Sequence, residues 1–248
     1  MLLLETPVPD AVLIEHAKHS LEDQMRQQAA HWLHVTPDTV DYSPEGNTVA
    51  ALRCGSSKIL AAVAAPNAGN SKFTEQGLAF EDGINCGFTL PCSEGVGDDY
   101  SYAIRFVTSA KKARTLLTLN PRDTDNYLFL RQLDGSIVLK DQKSTLEITI
   151  PFLAETGTSC LAIVGYSKGA YYLGVPEVGK DTMMASTSTT MDGPSDLFIG
   201  CRSNRKGLYN TLGSFTLQDV FFWPNQNILS EGSASMLEAL NAYSIWES

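Results

Sequence analysis

The sequence predicts a mainly β protein, an antiparallel sandwich preceded by one N-terminal α-helix, and three observations carry that expectation. Beyond Gly77 the apolar residues recur with period two, turn signals separate these runs at short intervals, and helical spacing marks the first 36 residues.

From Asp10 to about Val35 the residues Ile14, Leu21, Met25, Trp32 and Val35 fall at combined three- and four-residue steps, with Lys18 and Gln28 at the remaining seam positions. Asp10 is placed to cap the start, Pro7 and Pro9 fit ahead of it, and Pro37 closes the far end. A lone helix gains little in water, so its apolar stripe needs a cover. The polar seam residues favour copies of the same helix over docking on the body of the protein. Residues 1–36 are therefore expected to oligomerise or anchor the chain.

Residues 37–76 read as a connector with two short strands, Val49–Leu52 and Ile59–Ala65, among Pro, Gly, Ser and Asn turn signals. From 77 to 248 the sandwich follows. Tyr100, Tyr102, Ile104 and Phe106 alternate with Ser101, Ala103 and Arg105, and Leu146, Ile148, Ile150 and Phe152 alternate with Glu147 and Thr149. Phe215, Leu217, Asp219, Phe221 and Trp223 continue the habit less cleanly. Asp134-Gly135, between two apolar runs, is a strong two-residue hairpin signal, because both central positions of that turn want left-handed backbone. The Ser/Thr-rich stretch Ala185–Thr190 is expected to be a solvated loop.

In that order the chain resembles the laminin-G-like members of the concanavalin A-like lectin and glucanase superfamily. Gly77-Leu78-Ala79-Phe80-Glu81-Asp82-Gly83 looks like the family's opening strand, Tyr100–Thr108 like a central strand, and Tyr127–Leu139 like its central hairpin. Cys160–Val175 is similar to the paired strands that carry an aromatic-x-asparagine-glycine turn, with Leu173-Gly174-Val175 in that place. Asp196–Gly200 and Gly213–Trp223 resemble the closing strands, and Leu229–Tyr243 the short terminal helix. The family's usual tryptophan near position 160 and the asparagine of its turn are missing here. The resemblance implies a jelly-roll fold and a lectin-like or building role.

Composition narrows the classes of partner. The net charge is −10 at pH 7 and Lys and Arg never cluster, so nucleic acid is not an expected partner. No apolar window reaches the ~18 residues of a spanning helix, so membrane insertion is not expected. The opening MLLLETPVPD lacks the basic region of a secretory signal peptide. The five cysteines are scattered singly, with no C-x-x-C pair, and read as buried apolar residues of strands.

Two enzyme motifs fail on context. Gly165-Tyr166-Ser167-Lys168-Gly169 satisfies G-x-S-x-G, but a nucleophile elbow must feed a helix, and Gly174 and Pro176 follow too soon. The base should also lie downstream, whereas His16, His19, His31 and His34 all lie far upstream. Ser167-Lys168-Gly169 is better read as a hairpin turn. Gly174–Lys180 matches the glycines and lysine of a phosphate loop, yet Asp181 replaces the magnesium-binding hydroxyl and Glu177 adds negative charge. The pairs His16/His19 and His31/His34 have helical chelating spacing but lack completing ligands, and a polar helix face is the simpler reading. The loop acids Asp98, Asp99, Asp123 and Asp125 are the candidate metal ligands, for calcium, and no other cofactor is expected. The closely spaced carboxylate triplet of family glucanases is not found. Tyr166, Tyr171, Tyr172 and Tyr209, in or beside turns, are the candidate glycan-stacking residues.

The expectation is a non-enzymatic structural or decorating protein of a phage-like particle, a tail, fibre or capsid component. It would self-associate through its N-terminal helix, contact other virion proteins and touch a surface glycan, and it would be made in the host cytoplasm and released with the virion. A carbohydrate-binding module of a cellular or secreted, extracellular protein is the second reading, and a serine hydrolase at Ser167 the third.

Overall fold

The computed structural model describes residues 10–28, 30–45, 48–54, 61–64, 71–108, 113–153, 155–178, 183–186, 191, 193–203 and 211–246. In chain order these form helix α1 (Asp10–Gln27) and strands β1 (His31–His34), β2 (Val40–Tyr42), β3 (Val49–Arg53), β4 (Ala61–Ala64), β5 (Lys72–Thr74), β6 (Gly77–Ala79), β7 (Phe88–Val96) and β8 (Asp99–Thr108). Then come β9 (Arg114–Pro121), β10 (Leu128–Leu133), β11 (Ser136–Asp141), β12 (Glu147–Pro151), β13 (Ser159–Ser167), β14 (Ala170–Gly174), β15 (Met183–Ser186), β16 (Gly193–Ile199), β17 (Phe215–Trp223) and helix α2 (Ala234–Trp246).

All pairings among the described strands are antiparallel, and they build two sheets. The first runs β15-β14-β13-β8-β17-β6-β5, with β1 also on β17; the second runs β12-β11-β10-β9-β16-β7-β4-β3-β2. This is the jelly-roll type of sandwich expected from the alternation. Tyr100, Tyr102, Ile104 and Phe106 of β8 point into the main core with Leu117, Leu119, Leu128, Leu130, Ile137 and Leu139 of the facing sheet. Residues of opposite parity, Ala103, Leu161, Ile163, Phe221 and Trp223, join Leu21 and Met25 of α1 and Met236, Leu240 and Tyr243 of α2 in a second cluster. The first sheet is therefore buried on both faces, which is why β8 and β13 read as nearly unbroken runs of buried residues.

The Asp134-Gly135 hairpin forms as expected, with φ of 50° and 76° at its two central residues. The irregular habit of the last strand also has a cause. Leu217 lies opposite Phe106 and Asp219 opposite Arg105, so Gln218 is an extra residue on β17 and the side-chain phase reverses there. Phe215, Leu217, Val220 and Phe222 face the main core, while Phe221 and Trp223 face the helices.

Three expectations are corrected. The helix stops at Gln27, and His31–His34 is a strand antiparallel to β17, with Trp32 opposite Phe221. Trp32 stacks on Phe221 at 5.7 Å and His31 on Phe222 at 5.9 Å, contacts that aromatic cross-strand pairs favour and a continued helix would forfeit. Leu21 and Met25, the stripe assigned to partner copies, are fully buried in the cluster shared with α2. The stretch read as a connector supplies β2 to β4 at one edge of the second sheet and β5 at one edge of the first. The reversal between β13 and β14 lies at Lys168-Gly169, as the hairpin reading of Ser167-Lys168-Gly169 expects, and Leu173 and Gly174, which the resemblance set at a turn, are still paired with Val164 and Ile163. The terminal helix begins at Ala234, after a 3-10 turn over Glu231–Ser233. Among the described residues no helix is long and apolar enough to cross a membrane.

Candidate functional site

The β13–β14 hairpin forms one side of a groove. Lys168 and Gly169 have φ of 49° and 78°, the left-handed pair of a type I′ turn, which matches the twist of the strands it joins. Ser167 thus ends one strand of an antiparallel pair, and no helix follows it. Gly165, two residues earlier, leaves space that Asn227 fills, because a Cβ at Gly165 would overlap the Asn227 carboxamide. The G-x-S-x-G pattern is therefore one glycine for close packing and one for a turn.

The segment after β17 is pinned to Ser101 of β8, and braced internally, by hydrogen bonds. Ser101 Oγ donates to the Gln226 carbonyl at 2.8 Å and accepts from the Ile228 N–H at 3.2 Å. Asn227 Oδ1 accepts from the Leu229 N–H at 3.0 Å, and Ser230 Oγ donates to the Asn227 carbonyl at 2.7 Å. Between this segment and the turn lies a groove of about 620 Å³, with Asp99, Lys168, Tyr172, Asn225, Gln226 and Asn227 in its lining. Asn227 is 3% exposed, and its Nδ2 has no hydrogen-bond partner among the described residues.

The candidate sugar-stacking tyrosines separate by strand parity. Tyr172 is half-buried and lines the groove. Tyr166 and Tyr171 are corrected to core residues: they are 8% and 0% exposed, with ring centroids 4.8 Å apart, and the Tyr171 and Tyr100 hydroxyls are hydrogen-bonded at 2.9 Å. No sugar can reach them. Tyr209, and residues 187–190 of the Ser/Thr-rich stretch, lie outside the described residues. Asp99 lines the hairpin groove and Asp125 lines a separate pocket near the β9–β10 loop, whereas Asp98 and Asp123 line neither. No group of three or more His, Cys, Asp or Glu that could hold a metal forms among the described residues.

One polar constellation was not anticipated. Asp219, wholly buried, accepts hydrogen bonds from Trp32 Nε1 at 2.9 Å, His34 Nδ1 at 2.7 Å and Arg105 Nη1 at 3.0 Å. The Tyr243 hydroxyl donates to its two oxygens at 3.2 and 3.3 Å. Burial opposes ionisation of this carboxyl, but the contacts from His34, Arg105 and Trp32 outweigh it and hold Asp219 below the usual carboxylate range. Its sequence signal was the one acid interrupting the apolar habit of β17. A pocket of about 460 Å³ opens beside His34 and Arg105. An imidazole held by a carboxylate is the posture of a general base, but the hydroxyl residue lining that pocket, Thr36, is hydrogen-bonded to Thr39. Ser167 is no substitute: it pairs with Asp99, six residues along β8 from the Arg105 level of His34, or about 20 Å. His31 is buried against Phe222 on the opposite side of its strand from His34, so the two form neither the polar helix face expected of them nor a chelating pair.

No protein-family model matches the sequence, nor does the sequence of any curated protein. Solved structures do match. A Trypanosoma rangeli sialidase in complex with sialic acid aligns over 95% of this chain with a TM-score of 0.60 and 10% identity. A mutant of that sialidase displaying trans-sialidase activity aligns over 96% with a TM-score of 0.58 and 11% identity. In both cases the chain spans 38% of the sialidase's length. Domains LG4-5 of the mouse laminin α1 chain align over 62% of this chain and 42% of theirs, at 13% identity and a TM-score of 0.45, below the level that bears on the fold. At such identities the sialidase similarity establishes the β-sandwich architecture and nothing of the chemistry.

Proposed function

We propose that the protein is a non-catalytic β-sandwich module that binds a saccharide in the groove beside the β13–β14 hairpin. The observation that carries this reading is the convergence, in one groove, of the half-exposed Tyr172 ring, the Asp99 carboxylate and the Asn225 and Gln226 amides. A flat aromatic ring supports the apolar face of a sugar, and short planar amides and carboxylates bridge its neighbouring hydroxyls. The groove supplies both. The non-catalytic part rests on Ser167 serving as a turn residue about 20 Å from the oriented imidazole of His34. In the particle-borne setting expected from the sequence, the groove would be the receptor-contacting surface.

The test is a screen of the purified chain against immobilised neutral glycans, followed by titration of the best ligand. Affinity in the millimolar to micromolar range, weakened about tenfold or more by Tyr172→Ala, is expected. Binding indifferent to Tyr172, or no binding across the panel, overturns the site. Covalent labelling of Ser167 by a fluorophosphonate overturns the non-catalytic assignment.

A further inference from the structure

The arginines of the chain divide unequally. Seven lie among the described residues, and five of them have a carboxylate within ion-pair distance: Arg26 with Glu22 and Asp23, Arg53 with Asp41, Arg105 with Asp219, Arg114 with Asp82, and Arg122 with Asp196. In a chain of net charge −10 that pairing is unsurprising. Arg131 and Arg202 are the exceptions, and they stand beside the same ring. The Arg202 guanidinium carbon lies 3.8 Å from the Phe129 centroid and that of Arg131 lies 5.9 Å from it.

Two like charges are therefore held close together on a half-buried surface, with no carboxylate between them among the described residues. Arg202 Nε donates to Thr115 Oγ1 at 3.2 Å, and Arg131 Nε is buried without a hydrogen-bond partner among the described residues. Burial, and in smaller part the Arg131 charge, pulls the Arg202 guanidinium below its usual range against the opposing effect of Tyr127. It remains a cation at any physiological pH. A bound anion beside Arg202 would relieve the repulsion.

Arg202 also forms part of the wall of a pocket of about 410 Å³ beside the β9–β10 loop, together with Asn120, Thr124, Asp125, Tyr127 and Gln142. The planar guanidinium fork matches a carboxylate. The surrounding amides and hydroxyls suit a body carrying several hydroxyl groups, and Asp125 disfavours a ligand of higher negative charge. We infer that this pocket binds a hydroxylated monocarboxylate, a sugar acid of the hexuronate class, whose carboxylate pairs with Arg202 while Arg131 adds its charge. The site is separate from the hairpin groove and stands without it.

Titration of the full chain with glucuronate, glucose and inorganic sulfate, followed by nuclear magnetic resonance or calorimetry, tests the inference. Glucuronate is expected to bind with a dissociation constant of millimolar order, at least about tenfold more tightly than glucose, and more weakly as salt is raised. Arg202→Gln should weaken glucuronate about tenfold or more, and Arg131→Gln should weaken it by a smaller factor. Glucuronate binding no tighter than glucose overturns the inference, as does unchanged binding in Arg202→Gln. Sulfate binding as tightly as glucuronate reduces the site to a bare oxyanion contact and overturns the sugar-acid assignment. Should Arg202→Gln fail to fold, Arg131→Gln and the comparison of the three ligands on the unmutated chain decide the matter.

Discussion

Gly165 of β13 lies directly beneath the carboxamide of Asn227, with no room for a methyl group between them. The contact ties the segment after the last strand to the hairpin, and the groove depends on it.

Gly165→Ala should therefore destabilise the protein by about 1–3 kcal/mol through overpacking and disturb the groove. Ser167→Ala, at a half-buried position at the end of the strand, should stay within about 0.5 kcal/mol of the parent. Urea unfolding of the two variants checks both. A Ser167→Ala loss as large as that of Gly165→Ala would contradict the packing account.

Asp219 is the hub of the buried network under α2, and removing its cation should be costly. Arg105→Met leaves the carboxylate with fewer compensating contacts and should cost about 3–5 kcal/mol. Tyr243→Phe removes one donor and should cost about 1 kcal/mol. Denaturant midpoints at pH 7 measure both.

Acid should unfold the protein through its tightly bound carboxylates. Asp141 resists the effect of burial through bonds from the Leu146 N–H, the Thr145 side chain and N–H, and Asn126, so its pKa falls below 3.8, as does that of Asp219. The unfolded chain then binds more protons than the folded one as pH drops past that value. The stabilisation is complete above about pH 5 and is lost as pH falls through the folded values. Asp141→Asn should be less stable than the parent at pH 7, with the gap narrowing as pH falls below about 5, as followed by melting temperature. A gap independent of pH would refute this assignment.

The five cysteines form no disulfide among the described residues, and four are buried. Burial pushes the thiols of Cys92, Cys160 and Cys201 up to about 12 and raises that of Cys86. Only Cys54, half-buried, should react quickly with a disulfide reagent in the folded protein, and all five should react in urea. Rapid native labelling at more than one thiol would count against this packing.

What the sequence revealed depended on whether a signal was local. The β8 alternation and the Asp134-Gly135 turn are short-range patterns, and both elements form where expected. The His31–His34 strand was hidden because Trp32 continues the spacing of Leu21 and Met25, while the reason it is a strand lies with its partner Phe221 far along the chain. The extra Gln218 concealed which residues of β17 share a face, and with it the Asp219 cluster. Among the tyrosines, nearness to a turn was legible but facing was not. Tyr171 and Tyr172 are neighbours in sequence and point to opposite faces, so only one could reach the groove.

The pairing of β1 with β17 has a consequence for synthesis. Strand β17 lies between β8 on one side and β6 and β1 on the other, so the first sheet cannot close until the last strand has been made. The nascent chain must elongate by about 190 residues after His31 emerges before that residue meets Phe222. At ordinary translation rates this is a wait of roughly 10–40 s. During that interval His31–His34 must be kept from pairing with a neighbouring chain, and expression yield should respond to chaperone supply more than to the stability of the finished protein.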